Sequence, residues 1–125
     1  MASIYILANA FESCDVLVEL LSRIGHTVSC FTDKLSVLAG LRGRKPDLVL
    51  LDARVPQDAG FDVLSTLRTT PRLSRTPVVM YSAEDDPATR SRAKTAGADV
   101  YVAKGAGYDA LVRHLRPLLD NLPAT

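Results

Sequence analysis

The sequence predicts an α/β fold three layers deep, a (βα)5 doubly wound parallel sheet. Three observations point there. Strand-type and helix-type segments alternate five times, with the strand first in each unit. The third and fourth strands, Asp47 to Asp52 and Pro77 to Ser82, are the most apolar, as central strands covered on both faces must be. Polar residues gather where the runs stop, at Asn9, Asp52, Ser82 and Lys104, on the edge where open α/β sheets hold ligands.

The elements follow in order. The first strand is read near Ser3 to Ala8, and the first helix puts Val16, Leu17, Leu20, Leu21 and Ile24 on one face before Gly25 stops it with a left-handed cap. A second strand covers Thr27 to Phe31. The second helix starts near Thr32 or Asp33, packs through Leu35, Leu38 and Leu41, and ends around Gly43, just before Pro46. After the third strand, a helix following Gly60 offers Phe61, Leu64 and Leu67 to the core. Asp86 and Pro87 read as N-cap and first residue of a fourth helix ending at Gly97, which turns mostly Ala88, Ala93 and Ala96 inward and is expected to be the least firmly anchored. A last strand, Asp99 to Ala103, leads to a fifth helix with Leu111, Val112, Leu115, Leu118, Leu119 and Leu122, which Pro117 is expected to kink or end near Arg116.

At 125 residues, 47% of them hydrophobic and 23% charged, the chain fits one domain spanning residues 1–125. A net charge of +1 gives no general attraction to nucleic acid or anionic membrane. The apolar stretch Ile4 to Ala8 lacks a basic leader and is too short for a signal peptide, and no run reaches the length of a membrane span, so a cytoplasmic protein is expected. Cys14 and Cys30 lie in no Cys-x-x-Cys or His/Cys cluster, and are expected to be small unbridged core residues in a domain able to do without a disulfide.

Asp52 is the leading candidate for chemistry. A carboxylate at a strand terminus can attack phosphorus to give an acyl phosphate when a cation neutralises the phosphoryl oxygens. Lys104 supplies a point charge after the fifth strand and Ser82 a hydroxyl after the fourth, with small Ala83 beside it leaving room; Pro56 stiffens the turn after Asp52, and Gly60 gives it conformational freedom.

Four segments, in this order and spacing, resemble the receiver domain of bacterial response regulators: Asp47-Leu48-Val49-Leu50-Leu51-Asp52; Pro56 with Gly60; Thr76-Pro77-Val78-Val79-Met80-Tyr81-Ser82-Ala83; and Gly97 to Lys104. The resemblance covers essentially the whole chain. It implies the flavodoxin-like strand order 2-1-3-4-5, with Asp52 as phosphoacceptor, Ser82 as the hydroxyl that turns toward the phosphoryl group and Lys104 as the phosphate-sensing cation. It also makes Tyr101 the aromatic switch and implies Mg²⁺ held by Asp52 and the backbone carbonyl of Arg54. A histidine kinase or phosphotransfer protein would donate the phosphoryl group. Output would pass to a partner protein through the surface of helix 4, strand 5 and helix 5.

The sequence departs from that pattern at the first strand. Receivers end it with two acidic residues, whereas Ala8 and Asn9 stand here, and a one-residue slip gives Asn9 and Ala10. A pair of unit charges 4 Å apart is worth about 4 kcal/mol at an effective dielectric near 20, so losing two anions beside a divalent cation predicts weak or absent Mg²⁺ binding. Asn9 offers only a weak neutral ligand. Glu12 and Glu84 are possible substitutes, although the first suits a helix N-terminus and the second a solvated acidic loop. With the acids gone, Asp52 and Lys104 could also pair directly. Asp58 sits one place earlier than the loop acid of the family, and Gly105 replaces the usual Pro after the Lys.

Two functions follow. One is a stand-alone phosphorelay receiver with impaired Mg²⁺-dependent phosphorylation, not an enzyme beyond phosphoryl acceptance and self-dephosphorylation at Asp52. The other is a phosphorylation-independent pseudo-receiver that works as a protein-interaction module. The G-x-G-x-x-A match at Gly105 to Ala110 lacks a following strand and reads as a flexible turn. Arg90, Arg92, Lys94, Arg113 and Arg116 read as a solvated basic surface, with no DNA-binding module beside them, and His26 and His114 have no metal-ligand spacing.

Overall fold

The computed structural model describes residues 2–9, 11–82, 86–103 and 107–120, and of residues 11–13 the backbone alone. Five strands, β1 (Ser3–Leu7), β2 (Thr27–Phe31), β3 (Leu48–Asp52), β4 (Val78–Ser82) and β5 (Val100–Ala103), form one parallel sheet in the order β2-β1-β3-β4-β5. The predicted fold class and strand order are what is found. All five residues of β3 and of β4 are buried, and the edge strand β2 is half-exposed, with Thr27 and Ser29 outward and Val28 and Cys30 partly covered.

Period-two alternation sends neighbouring side chains to opposite faces and so builds two cores. On one face Ile4, Ile6, Leu48, Leu50, Val79 and Tyr81 meet helices α1 (Phe11–Arg23) and α5 (Tyr108–Asp120) through Leu17, Leu21, Leu111 and Leu115. On the other, Tyr5, Leu7, Val49, Leu51, Val78 and Met80 meet α2 (Lys34–Gly43), α3 (Ala59–Thr69) and α4 (Pro87–Ala96). A short 3-10 turn, Pro56–Asp58, precedes α3.

The caps are where the sequence put them. Asp33 accepts from the Ser36 amide at 2.8 Å to start α2, Asp86 accepts from Ala88 at 3.0 Å to start α4, and Gly25 and Gly97 adopt φ of 91° and 106° after α1 and α4.

Four packing expectations are corrected. Leu35 is 77% exposed, because the phase set by the Asp33 cap points Val37 and Leu41 at the sheet, and Leu35 lies two residues, about 200°, from Val37. Val16 is exposed, since the buried stripe of α1 runs through Cys14, Leu17 and Leu21. Of the α4 alanines only Ala93 is fully buried; Ala96 is partly covered and Ala88 exposed. Helix α5 does not end near Arg116 but continues through Pro117 to Asp120, with Leu115 and Leu119 buried on either side of the proline. Leu122 lies outside the described residues.

The cysteines are the largest departure. Cys14 and Cys30 are joined in a disulfide across a Cα–Cα distance of 5.9 Å. Alternation along β2 turns Val28 and Cys30 toward the α1 layer, and α1, which must lie over β1 and β2, brings Cys14 above Cys30. A separation of 16 residues gives no hint of this in one dimension.

Candidate functional site

Strand β3 delivers Asp52 to the carboxyl edge of the sheet. The residue is 2% exposed, and Ser82 at the end of β4 is 5% exposed. Asp52 lies opposite Tyr81 in the ladder, and the amide of Ala53 donates to the Tyr81 carbonyl at 2.7 Å. The Arg54 amide donates to Oδ1 of Asp52 at 2.8 Å, an Asx-type contact that orients the carboxylate. Beside it opens a cleft of about 200 Å³ lined by Ala53, Arg54, Ser82, Asp86 and Thr89. Burial first, and then the Asp52 charge, push the Tyr81 phenol well above its ordinary pKa, so it stays protonated next to the carboxylate.

Gly60 matters here for a reason other than the expected one. It is helical, and a Cβ on it would stand 2.8 Å from the Asp52 backbone oxygen. The unusual backbone falls instead on Gln57 and Asp58, with φ of 62° and 58°. That left-handed pair aims the Asp58 carboxylate at Arg92 of α4, which binds it at 2.9 and 3.3 Å and lies 3.8 Å from the centre of the Phe61 ring. The hydrogen bond and charge of Arg92 hold the Asp58 carboxyl below its usual pKa. Sequence reading noticed that Asp58 is out of place but not its partner, which lies 34 residues away.

Leu7 pairs with Leu51, so the next residue, Ala8, falls beside Asp52; it is fully buried, and its amide donates to the Phe31 carbonyl at 2.9 Å. Asn9 follows on the exposed rim. Among the described residues no group of three or more His, Cys, Asp or Glu could hold a metal ion. Among the described residues the donors at this first-strand corner are one carboxylate, one amide side chain and the Arg54 carbonyl, a poor match to Mg²⁺, which favours carboxylate oxygens in a near-ideal octahedron. Lys104, Glu84, Ala83 and Gly105 lie outside the described residues, as does the side chain of Glu12.

Tyr101 on β5 is half-buried. Its hydroxyl is buried with no hydrogen-bond partner among the described residues, and the Arg90 guanidinium sits 5.0 Å from the ring centre. With Arg90, Lys94, Ala98, Asp99 and Val100 it lines a groove of about 380 Å³. Arg113 and Arg116 line a separate groove between α1 and α5, so the basic residues form two surfaces. His26 accepts the Ala2 amide at Nδ1, a structural contact.

Comparison with known proteins agrees with this geometry. Residues 4–116 match the response regulator receiver domain family. Over 115 residues, 88% of this chain and 48% of the relative, the sequence is 37% identical to the probable transcriptional regulatory protein TcrX of Mycobacterium tuberculosis. It is 38% identical to the transcriptional regulatory protein CseB of Streptomyces avermitilis over 86% of this chain and 46% of that one. The chain thus spans about half the length of these relatives. Among solved structures, the chemotaxis response regulator CheY4 of Vibrio cholerae superposes with a TM-score of 0.86 at 21% identity, covering 94% of this chain and 98% of that one. The Mn²⁺-bound response regulator Rcp1 gives 0.81 at 21% identity, covering 99% and 100%.

Proposed function

The chain belongs to the response regulator receiver family, and from that membership we propose that Asp52 is its phosphoacceptor, with weakened Mg²⁺ binding and so impaired Mg²⁺-dependent phosphorylation. The observation that carries this is a buried, hydrogen-bonded carboxylate at the end of β3, beside an open cleft that Ser82 at the end of β4 helps to line. A carboxylate oxygen attacks phosphorus in a phosphohistidine of a kinase or phosphotransfer protein; the P–N bond breaks, the imidazole leaves with the electron pair and takes up a proton, and an acyl phosphate remains. Ser82 donates to a phosphoryl oxygen, and Lys104, following β5 in sequence, supplies the charge. Tyr101 and the groove with Arg90 and Lys94 form the output surface for a partner protein. Nothing in this scheme needs an activity beyond acceptance and hydrolysis of that group.

One observation favours a second reading. Among the described residues, Ala8 and Asn9 bring no carboxylate to the corner beside Asp52, which suits a module that binds partners without being phosphorylated. Beryllofluoride titration watched by NMR, with Mg²⁺ and with EDTA, separates the two. Saturable binding that disappears in Asp52→Asn supports the phosphoacceptor; silence at high Mg²⁺ supports the module. Ala8→Asp with Asn9→Asp is expected to recover Mg²⁺ binding.

A further inference from the structure

The Cys14–Cys30 bond joins the first turn of α1 to the end of the edge strand β2. The next residue after Cys30 is Phe31, whose carbonyl holds the amide of Ala8, the residue beside Asp52. Chain, disulfide and hydrogen bond therefore close a small ring: Ala8 along the chain to Cys14, across sulfur to Cys30, on to Phe31, and back to Ala8. The ring fixes both ends of the connection from β1 to α1, the same corner at which the carboxylates are missing. A bridge closing a loop of this length stabilises chiefly by restricting the unfolded chain.

We propose that Cys14 and Cys30 form a reversible thiol-oxidation site that takes small-molecule or protein disulfides as co-reactants and sets how firmly the β1 corner of the Asp52 cleft is held. Two features separate it from a buried structural bridge. Cys30 lies on an edge strand, paired on one side only, and is half-exposed, while Cys14 is 5% exposed. The rest of α1 is anchored independently by Leu17 and Leu21, both fully buried, so the helix stays docked when the bond opens.

The chemistry balances with a disulfide oxidant. The Cys30 thiolate, the more accessible, attacks one sulfur of the oxidant and releases a thiolate; Cys14, losing its proton, then attacks the mixed disulfide at Cys30 and releases the second. Two electrons pass to the oxidant, which ends as two thiols once it has taken up the two protons. A dithiol reductant reverses both steps.

This inference does not rest on phosphorylation of Asp52, and its test does not read it. Protein purified without reductant is alkylated and weighed intact, then equilibrated in mixtures of oxidised and reduced glutathione and followed by hydrogen exchange. The expected results are no alkylation before reduction and two additions after it. A graded passage between the forms is expected while the circular dichroism stays native. Reduction should lower Tm by on the order of 10 °C. It should also speed exchange at residues 8–14 and 30–31 by about tenfold or more while β3 and β4 hold their protection. Cys14→Ala with Cys30→Ala should show the fast rates in either buffer; if that variant does not fold, wild-type protein with and without dithiothreitol gives the same comparison. Free thiols in the unreduced protein, a bond that opens only on unfolding, thiols that do not re-form it in oxidised glutathione, or unchanged exchange at residues 8–14 would each overturn the proposal.

Discussion

Helices α1 and α4 both run back from the carboxyl edge beside the Asp52 cleft, and they are held there by opposite means. Helix α1 puts Cys14, Leu17 and Leu21 into the core and is tied covalently to β2. Helix α4 buries Ala93 alone and is held by polar groups: Arg92 on Asp58 and Phe61, Arg90 over Tyr101, and Arg68 of α3 donating from Nε to the Gly97 carbonyl at 3.0 Å. Apolar burial is non-directional and resists displacement over a wide area, whereas hydrogen bonds and ion pairs can be exchanged for others at small net cost. The lesson is a division of labour. One side of the cleft is a fixed wall, and the other is a surface that can shift.

The largest expected effect tests the fixed wall. Leu21→Ala removes a fully buried side chain from the α1 face, and should cost about 2–5 kcal/mol in urea denaturation. Ala93→Gly on α4 removes one buried methyl and some helix propensity, and should cost only about 1–2 kcal/mol. If the two losses are equal, the contrast between the helices is wrong.

A smaller effect tests the movable side. Arg92→Ala removes an exposed ion pair and a cation–π contact, so global stability should change little. Exchange in α4 should nevertheless accelerate selectively. Acid should do the same. Asp58 and the N-cap Asp86 both titrate below their ordinary value of 3.8, Asp58 through Arg92 and Asp86 through its hydrogen bonds from Thr89 and Ala88. Each contribution is complete above the unfolded value and is lost as pH falls through the lower folded one, so α4 protection should drop below about pH 4. Asp58→Asn with Asp86→Asn should remove that dependence.

What local sequence shows and what it misses follows from the same contrast. Apolar periodicity reports burial, so the five strands, the α1 stripe around Leu17 and Leu21, and the Asp33, Asp86 and Gly97 caps were legible from local sequence. Where apolar residues crowd both faces, as with Leu35, Val37, Leu38 and Leu41 on α2, periodicity admits two phases and only packing on the sheet chooses between them. Contacts made at long range leave no local trace: Arg92 with Asp58, Cys14 with Cys30, and the approach of Gly60 to the Asp52 carbonyl all needed three dimensions. At the candidate site, family spacing named Asp52 and Ser82, which end β3 and β4, and Ala8, which follows β1. It did not show that the edge beside Ala8 is cross-linked.

The smallest effect sharpens the comparison at the far end of α1. His26 follows the helix after Gly25, and its Nδ1 accepts the Ala2 amide at 3.1 Å, a bond that only the neutral ring can make in that form. Burial lowers its pKa from the ordinary 6.5. The unfolded chain therefore binds the proton more readily, and stability is complete above about pH 6.5 and declines as pH falls toward the folded value. Urea midpoints should slope gently downward over that window and flatten in His26→Gln. Because this anchor lies at the amino edge of the sheet, its loss should raise exchange at residues 24–27 and leave α4 untouched until pH 4 is approached. Loosening of both helices at one common pH would mean that they form a single cooperative unit, and the division between wall and movable surface would not hold.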